Sequence, residues 1–277
     1  MEDLQEIKKR IGAADAAGAL AAAKAAVRSS PSDPSSRSAL FSLFAVHGEW
    51  ARAAEQLDTA IRLGGDIALA VYDIILKTIP DREKVIRGEA APNFPGGGEA
   101  PDWFPAWQSA LAALHHGDDA PLAEVALARS EALDKINGFN SHFEFEGFRN
   151  CDTRFNGFFE GTFEGKYSWL PFEQVRRIAV PERPELLHDL IWLPVMVHLQ
   201  KGEPLKGYLF ASYPETAEKG SDAEKLARST GWDDRFEATD IARGAQLFAL
   251  GAEFISIFQL GQCNLNTATA RPPATGS

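Results

Sequence analysis

The motif WLP occurs twice in this chain, in KYSWLPFEQ (residues 166–174) and in DLIWLPV (residues 189–195). Each copy places a tryptophan and a proline inside a run that otherwise has the composition of a buried strand. Proline has no backbone N–H to donate to a sheet, so it lies at an edge, a strand start or a bulge. The residue before it is driven toward extended geometry. Each copy therefore predicts a strand that bends or stops pairing at its proline.

Side chains alternate between the two faces of a strand, which assigns the members of each motif to opposite sides. Trp169 and Pro171 share one face and Phe172 lies on the other, and Trp192 and Pro194 share a face in the second copy. We predict two neighbouring strands of one barrel, with both prolines at edges or bends and at least one tryptophan largely buried. The motif is then a signature of the fold.

The charge balance limits the classes of partner. The 277 residues carry a formal net charge of −11, and the sequence pI is about 5.1. A general nucleic-acid or anionic-membrane binder needs a basic face to replace counterions. The first residues, MEDLQEIKKR, lack the apolar core of a signal peptide, and no run approaches the ~18 apolar residues of a membrane span. We expect a cytoplasmic protein that binds neither nucleic acid nor membrane.

The first half of the chain has helical periodicity. The stretch FSLFAVHGEWARAAEQLDTAIRLGG (residues 41–65) predicts two amphipathic helices joined at a glycine. A weaker copy precedes it, in which alanines of GALAAAKAAV (residues 18–27) fall under Ala53, Leu57 and Ala60. The spacing of about 34 residues between the two copies is the length of a tetratricopeptide repeat. A plain pair of α-hairpins is the alternative that the sequence leaves open.

The second half predicts strands. Glycines and eight phenylalanines interrupt residues 139–163, where helical periodicity is lost. Four or five short strands follow, together with one short helix that starts in SDAEK (residues 221–225) at a capping box. We predict an α+β, multi-domain chain. A tetratricopeptide-like helical domain (1–145) precedes a small, SH3-like, mostly antiparallel β domain (146–263) and a disordered tail (264–277).

No catalytic constellation stands out. The sequence has no P-loop, GxGxxG, HExxH or GxSxG motif, and the two cysteines have no metal-ligand spacing. His188 beside Asp189, or Cys151 with a lowered thiol pKa, would be the starting point of an unrecognised hydrolase. We predict that the protein is not an enzyme and has no catalytic residue, cofactor or metal. Arg176 and Arg177 take opposite faces of a strand, so one of them predicts an internal ion pair with an aspartate, with an acidic partner as the alternative.

Two surfaces are candidates for partner binding. In the repeat register, Ser35, Ser38 and Ser42 face the groove of the helical half, and Trp50 starts its second helix. These serines are small and neutral, which suits a broad helix-in-groove contact and not the capture of a carboxylate terminus. The alternative is a stand-alone peptide or modified-residue reader, in which Trp169 and Trp192 form an aromatic cage on the β domain.

The order of these features resembles the ImpE/TagJ family of accessory proteins of bacterial type VI secretion systems. The resemblance spans about residues 15–260. The most diagnostic part is GKYSWLPFE followed by DLIWLP, which includes Asp189, and the supporting stretches are FSLFAVHGEWARAAEQLD, DWFPAWQSALAAL, GYLFASYP and LARSTGW. One segment departs from the family, because NCDTRFNG (residues 150–157) keeps Asp152 and Arg154 of D-A-D-x-R-L-G-P but replaces Leu-Gly-Pro.

The resemblance implies a function that composition and periodicity do not. Members of this family are non-enzymatic cytoplasmic proteins associated with the contractile sheath, through its small subunit, and with the ClpV-type ATPase that disassembles the sheath. We therefore expect those two proteins as partners. The residues alone predict a scaffold of two parts, and both parts are of kinds that commonly bind peptides or protein surfaces.

Overall fold

Helices dominate the first half of the chain. The computed structural model describes residues 2–64, 66–97, 99–181 and 187–266. The helices of these ranges before the first strand are α1 (Glu2–Gly12), α2 (Ala16–Ser29), α3 (Pro34–Val46), α4 (Trp50–Arg62), α5 (Ala70–Lys77), α6 (Ile79–Ile86), α7 (Phe104–His115) and α8 (Ala120–Asp134). In the described ranges, none of the helices has both the length and the apolar character needed to cross a bilayer.

Aspartates set the starts of α2 and α3. The carboxylate of Asp15 accepts a hydrogen bond of 2.7 Å from the backbone N–H of Gly18, and that of Asp33 accepts one of 3.0 Å from Ser36. Pro34 occupies the first turn of α3, where no N–H is needed. These caps fix the first residues of α2 and α3, so that α3 begins seven residues before the stretch 41–65 in which the periodicity predicts it.

The equivalent positions of the two sequence copies are all buried. They are Ala19, Ala23 and Ala26 of α2 and Ala53, Leu57 and Ala60 of α4. Small side chains at these positions let neighbouring helices approach closely. The paired helices are confirmed, and the tetratricopeptide assignment stays a prediction.

The second half of the chain forms the sheets. Its described strands are β1 (Asn137–Phe139), β2 (Glu144–Glu146), β3 (Phe148–Asn150), β4 (Phe158–Phe163), β5 (Lys166–Pro171), β6 (Val175–Ala179), β7 (Trp192–Leu199), β8 (Leu205–Phe210), β9 (Thr230–Trp232), β10 (Ala242–Gly244), β11 (Leu247–Leu250), β12 (Glu253–Ser256) and β13 (Gln262–Leu265). They make an eight-stranded antiparallel sheet in the order β2-β1-β13-β6-β7-β8-β4-β5, a three-stranded sheet β12-β11-β3 and the pair β10-β9.

The prediction of four or five strands was too low, and the SH3-like topology is not confirmed. Five of the strands have only three residues, which is too short for an alternating pattern to show in the sequence. The predicted short helix is present as α10 (Asp222–Lys225), which begins at the capping box of Ser221 and Glu224. A second short helix, α9 (Thr216–Lys219), precedes it.

The two WLP strands are not neighbours, contrary to the prediction. The order of these strands in the sheet is β7-β8-β4-β5. β8 of the β7–β8 hairpin pairs with β4 of the β4–β5 hairpin, so β8 and β4 separate the two WLP strands. Pro171 ends β5 at the edge of the sheet. Pro194 is paired with Tyr208 of β8, but the ladder between β7 and β6 ends at Met196. Both prolines therefore lie where pairing on one side stops, as predicted.

The alternation of each WLP motif divides the protein interior into two apolar clusters. Trp169 and Trp192 have no exposed surface and pack in a cluster that includes the helices. Leu170 and Leu193 point the other way, into a second cluster inside the β half. Each motif therefore contributes its tryptophan to the contact between the halves and its leucine to the sheet core.

The last strand continues past the predicted start of the tail. Asn264 and Leu265 belong to β13, and the buried Leu265 is paired with Gly138 of β1. Burial of this leucine against the sheet explains why the chain is ordered there. Residues 267–277, which make up most of the predicted disordered tail, lie outside the described residues.

A buried ion pair joins α6 to the sheet. Arg82 donates from Nε to Glu160 Oε2 at 2.9 Å and from Nη2 to Glu160 Oε1 at 2.6 Å. The Glu160 side chain has 0% exposure, and that of Arg82 has 12%. Arg82 Nη2 also donates to the carbonyl oxygen of Ser212, and the guanidinium lies 4.1 Å from the ring centroid of Phe210. The carboxylate of Glu160 neutralises the charge of Arg82, and the two parallel hydrogen bonds fix the orientation of its guanidinium.

Glu160 has further donors within the β half. Its carboxylate accepts hydrogen bonds from the hydroxyl of Tyr167 at 2.8 Å and from Nε2 of Gln246 at 2.9 Å. The Tyr167 oxygen in turn accepts the indole N–H of Trp169 at 2.7 Å. The tryptophan of the first WLP motif is thus part of the polar network that holds the buried carboxylate.

Replacing Arg82 by alanine leaves the buried Glu160 carboxyl without its main partner. We expect the free energy of unfolding to fall by about 3–5 kcal/mol, as when one member of a buried pair is removed. Urea denaturation followed by circular dichroism measures this change. The matched control is Lys77→Ala, because Lys77 pairs with Asp73 on an exposed helix surface. That change should cost less than about 1 kcal/mol. Equal losses in the two variants would contradict the structural role of the buried pair.

Candidate partner-binding site

The predicted binding residues lie around α3 in two separate concavities. Ser35, Ser38 and Ser42 line a shallow groove on one side of the helix, and Trp50 lines a pocket on another side. We call the first the serine groove; its walls are Pro34, Ser35, Ser38, Ala39, Ser42, Gly64, Asp66, Leu69, Leu187 and His188. The structure therefore brings the three serines together and separates Trp50 from them.

The serine groove has walls from both halves of the chain. Leu187 and His188 come from the 3-10 turn Leu187–Leu190, directly before β7, and the serines come from α3. Ser35 is exposed, Ser38 is partly buried, and Ser42 is buried with its hydroxyl donating to the Ser38 carbonyl at 3.1 Å. The hydroxyl proton of the buried Ser42 is therefore already used within α3.

One carboxylate gives the serine groove its charge. Asp66 lies in the wall, where it accepts a hydrogen bond of 2.9 Å from the backbone N–H of Ala68. Lysine and arginine are missing from the described residues that line the groove. A segment that carries a basic side chain beside small or apolar ones would complement this surface.

His188 is enclosed by aromatic rings. Its ring centroid lies 4.3 Å from that of Tyr72 and 6.3 Å from that of Phe41. Burial lowers the pKa of His188, and the neighbouring Asp189 opposes this change. Among the residues that the structure describes, no hydroxyl or thiol makes a hydrogen bond to His188. The arrangement needed for a histidine-activated nucleophile is not formed there.

The thiol of Cys151 is not activated. Burial raises its pKa to about 12, and the charges of Asp240 and Asp152 act in the same direction. The lowered thiol pKa that a hydrolase would need is therefore not found, because the desolvation of the thiol outweighs the influence of Arg149. Within the described ranges, no group of three histidine, cysteine, aspartate or glutamate side chains is placed to hold a metal ion.

Among the residues that the structure describes, neither Arg176 nor Arg177 pairs with an aspartate. Arg176 is exposed, and Arg177 donates from Nη2 to the side-chain oxygen of Gln262 at 2.6 Å. The buried arginine–aspartate pair lies elsewhere, between Arg154 and Asp152. The short spacing in DTR was the available signal, since an aspartate two residues before an arginine can accept from both its backbone and its guanidinium.

The aromatic cage is excluded. Trp169 and Trp192 are both fully buried, and neither presents a ring face to solvent. Trp192 is stacked on Phe41 at a centroid distance of 6.0 Å, and Trp50 lies beside it at 6.3 Å. Trp50 is the partly exposed member of this aromatic group. The WLP tryptophans therefore lie in the contact between the two halves and form no cage at the surface.

In the described part of the chain, helices pack on one face of an antiparallel sheet, and two concavities lie where the two halves meet. Comparisons with known proteins indicate the family. The model of the family "ImpE protein" matches residues 142–264. The type VI secretion system accessory component TagJ of Pseudomonas aeruginosa is 33% identical over 231 residues, which cover 82% of this chain and 79% of that protein.

A solved structure shows the same fold. The X-ray crystal structure of a protein from Vibrio parahaemolyticus has a TM-score of 0.82 at 22% identity and covers 95% of this chain and 98% of its own. The sequence identity to the Pseudomonas relative extends over most of both chains, which establishes the family of this protein. The chain belongs to the ImpE/TagJ family of type VI secretion system accessory components.

The buried His188 predicts a pH-dependent stability. Its pKa is lowered from 6.5 in the folded state, so the unfolded chain takes up a proton first as the pH falls. The contribution of His188 to the free energy of unfolding should be fully present above pH 6.5. Below pH 6.5 the free energy of unfolding should fall, by at most about 1.4 kcal/mol per pH unit for one proton.

Thermal melting between pH 7.5 and 5 measures this decline. The variant His188→Phe, which keeps a ring against Tyr72, should have a shallower dependence than the wild-type protein. The control is His142→Gln, because His142 is exposed. If His188→Phe kept the wild-type slope, a different group would be responsible.

Proposed function

We propose that this protein is a non-enzymatic cytoplasmic adaptor of a bacterial type VI secretion system that binds the small subunit of the contractile sheath, the ClpV-type disassembly ATPase, or both. Family membership supports a role within that system. The observation that carries the adaptor role is the serine groove, a concave surface of small side chains to which both halves of the chain contribute.

The serine groove suits a helical segment of the sheath small subunit. Small side chains such as Ser35, Ser38 and Ala39 let the backbone of a second helix approach α3 closely. Leu69 and Leu187 provide apolar surface at the sides of the groove. An amphipathic helix docks in such a groove through side chains spaced three or four residues apart. Asp66 favours a segment with a lysine or arginine at the corresponding end.

The two halves have separate parts in this proposal. The helical half, as a tetratricopeptide-like domain of residues 1–145, supplies α3 and the α4–α5 connection. The β half, as a barrel-like domain of residues 146–263, supplies the 3-10 turn that closes the groove. A groove that needs both halves binds only when they are docked, which the Arg82–Glu160 pair ensures.

Filling the serine groove should abolish binding of the sheath small subunit. In Ser38→Trp a large indole occupies the space of a helix, and we expect the affinity to fall at least about tenfold. Isothermal titration of the purified sheath small subunit into the purified protein measures the affinity. The control is Ser109→Trp, in which the same side chain is introduced at an exposed position of α7.

Two results would count against this function. The first is that the folded wild-type protein binds neither the sheath small subunit nor the ClpV-type ATPase at micromolar concentration. The second is that Ser38→Trp binds the sheath small subunit as tightly as Ser109→Trp does. The first would refute the adaptor role, whereas the second would place the partner on another surface.

A further inference from the structure

A second concavity lies at the junction of the two halves. We call it the junction pocket; it is a cavity of about 280 Å³ lined by the end of α3, the start of α4, α6 and the segment that runs from β8 through α9. Trp50 lies at its α4 side and Arg82 at its α6 side. The serine groove and the junction pocket share none of their lining residues.

The interior of the junction pocket is apolar. Its walls include Val46, Ile79, Ile86, Ile191 and Phe210, which come from helices and strands alike. Phe210 also carries the Arg82 guanidinium on its ring face at 4.1 Å. An apolar cavity of this size is suited to one large side chain.

Apart from Arg82, whose charge Glu160 balances, the charged side chains around the junction pocket are of both signs in equal number. Glu83, Glu215 and Glu218 supply three carboxylates, and Arg87, Lys219 and Lys225 supply three cations. Lys219 pairs with Glu215 at 2.8 Å, so part of this charge is already neutralised. A phosphate or another anion has no excess of positive charge to bind there. An apolar centre with a mixed polar rim is instead the composition of a protein–protein contact.

One polar group at the pocket has hydrogen-bonding capacity to spare. Arg82 uses Nε and Nη2 for Glu160 and for the Ser212 carbonyl, whereas its Nη1 makes no hydrogen bond to any described residue. Glu160 already balances the charge of the guanidinium. A neutral acceptor, such as a backbone carbonyl oxygen, therefore fits Nη1 better than a second carboxylate does.

The outer wall of the junction pocket is held in a strained conformation. Glu215 has a φ of +64°, in the left-handed region that side-chain-bearing residues seldom adopt. Behind it, α9 lies directly against Gly48, where an added Cβ would come within 3.2 Å of the Ala217 Cβ. Strain of this kind persists only where the surroundings enforce it, and it concentrates at binding sites. The glycine at position 48 lets the α3–α4 connection pass close to this wall.

We propose that the junction pocket binds a peptide segment of a partner protein by accepting one large apolar side chain, while a backbone carbonyl of that segment accepts a hydrogen bond from Arg82 Nη1. This site is additional to the serine groove. The inference does not depend on the identity of the sheath subunit as a partner. It gives the protein a second anchor point, so that two segments can be held at once.

Blocked amino acids are the probes for this proposal. N-acetyl-L-phenylalaninamide carries both an apolar side chain and backbone carbonyls, N-acetylglycinamide lacks the side chain, and 2-phenylethanol lacks the carbonyl. The indole N–H signal of Trp50 in protein labelled with ¹⁵N-tryptophan reports on the pocket. We expect a saturable shift with the phenylalanine probe, with a dissociation constant on the order of 1 mM, and at least tenfold weaker binding of the other two probes.

Substitutions test the position of the probe. Ile86→Trp fills the junction pocket from its α6 side and should weaken binding of the phenylalanine probe at least tenfold. Ile74→Trp is the matched control, because Ile74 is 46% exposed on α5 and is not a wall of this pocket. Equal binding by the two variants, or no saturable shift in the wild-type protein, would overturn the proposal.

The two binding proposals can fail separately. Ile86→Trp should retain the wild-type affinity for the sheath small subunit, just as Ser38→Trp should retain the phenylalanine probe. If Ile86→Trp lost the sheath subunit, the junction pocket would be part of the main partner site and the claim of an additional site would be wrong. Failure of the sheath subunit to bind at all would leave the probe result as an independent measure of the pocket.

Discussion

The buried carboxylate of Glu160 is the constraint on which the arrangement of the two halves depends. A charge without exposed surface needs a counter-charge and further donors, and both are supplied. Arg82 reaches it from α6 with two parallel hydrogen bonds, and the donors of Tyr167 and Gln246 come from the β half. Because the geometry of such a pair is narrow, α6 has one position on the sheet. The walls of the junction pocket follow from that position.

The apolar contact between the halves depends on the alternation in each WLP motif. Trp169 and Trp192 point toward the helices, where Phe41 and Tyr72 of α3 and α5 meet Trp192. The leucine that follows each tryptophan points into the sheet core. A single-residue shift of either strand would reverse both assignments and place a large aromatic ring in the sheet core, where a leucine now packs. The polar pair therefore sets the position of the halves, and the tryptophans provide the area that holds them together.

The sequence predicts the elements that repeated or local patterns determine. It does not predict which strands are neighbours, because that depends on pairing between distant segments. The α1–α4 hairpins, the capping box of α10 and the position of each proline could be predicted, because periodicity and local chemistry determine them. The neighbours of the WLP strands could not, since the β4–β8 pairing joins segments that are far apart in the sequence, such as Gly161 with Leu209. Three-residue strands carry too little alternation to be recognised. The family resemblance stated from the sequence is the family that the comparisons show.

The candidate sites were predictable in part, for a related reason. The three serines share one face of α3, and helical spacing brings them together. The 3-10 turn that completes their groove belongs to the second half of the chain, so local patterns do not place His188 beside them. Trp50 was grouped with the serines from its place in the repeat, but it lies across α3 from them. The raised pKa of Cys151 depends on burial in the folded chain, which its sequence neighbours do not reveal.

The separation of Arg82 from Glu160 along the chain has a consequence for biosynthesis. The two residues are 78 positions apart, and the arginine leaves the ribosome first. At a synthesis rate of about 5–20 residues per second, Arg82 is without the carboxylate of Glu160 for roughly 4–16 s. A waiting arginine is easily hydrated, whereas a carboxylate waiting inside a folded sheet would be costly. The order of synthesis thus leaves the Arg82 guanidinium, which water solvates readily, exposed during this interval. When the sheet folds, Glu160 is buried against an arginine that has already been synthesised.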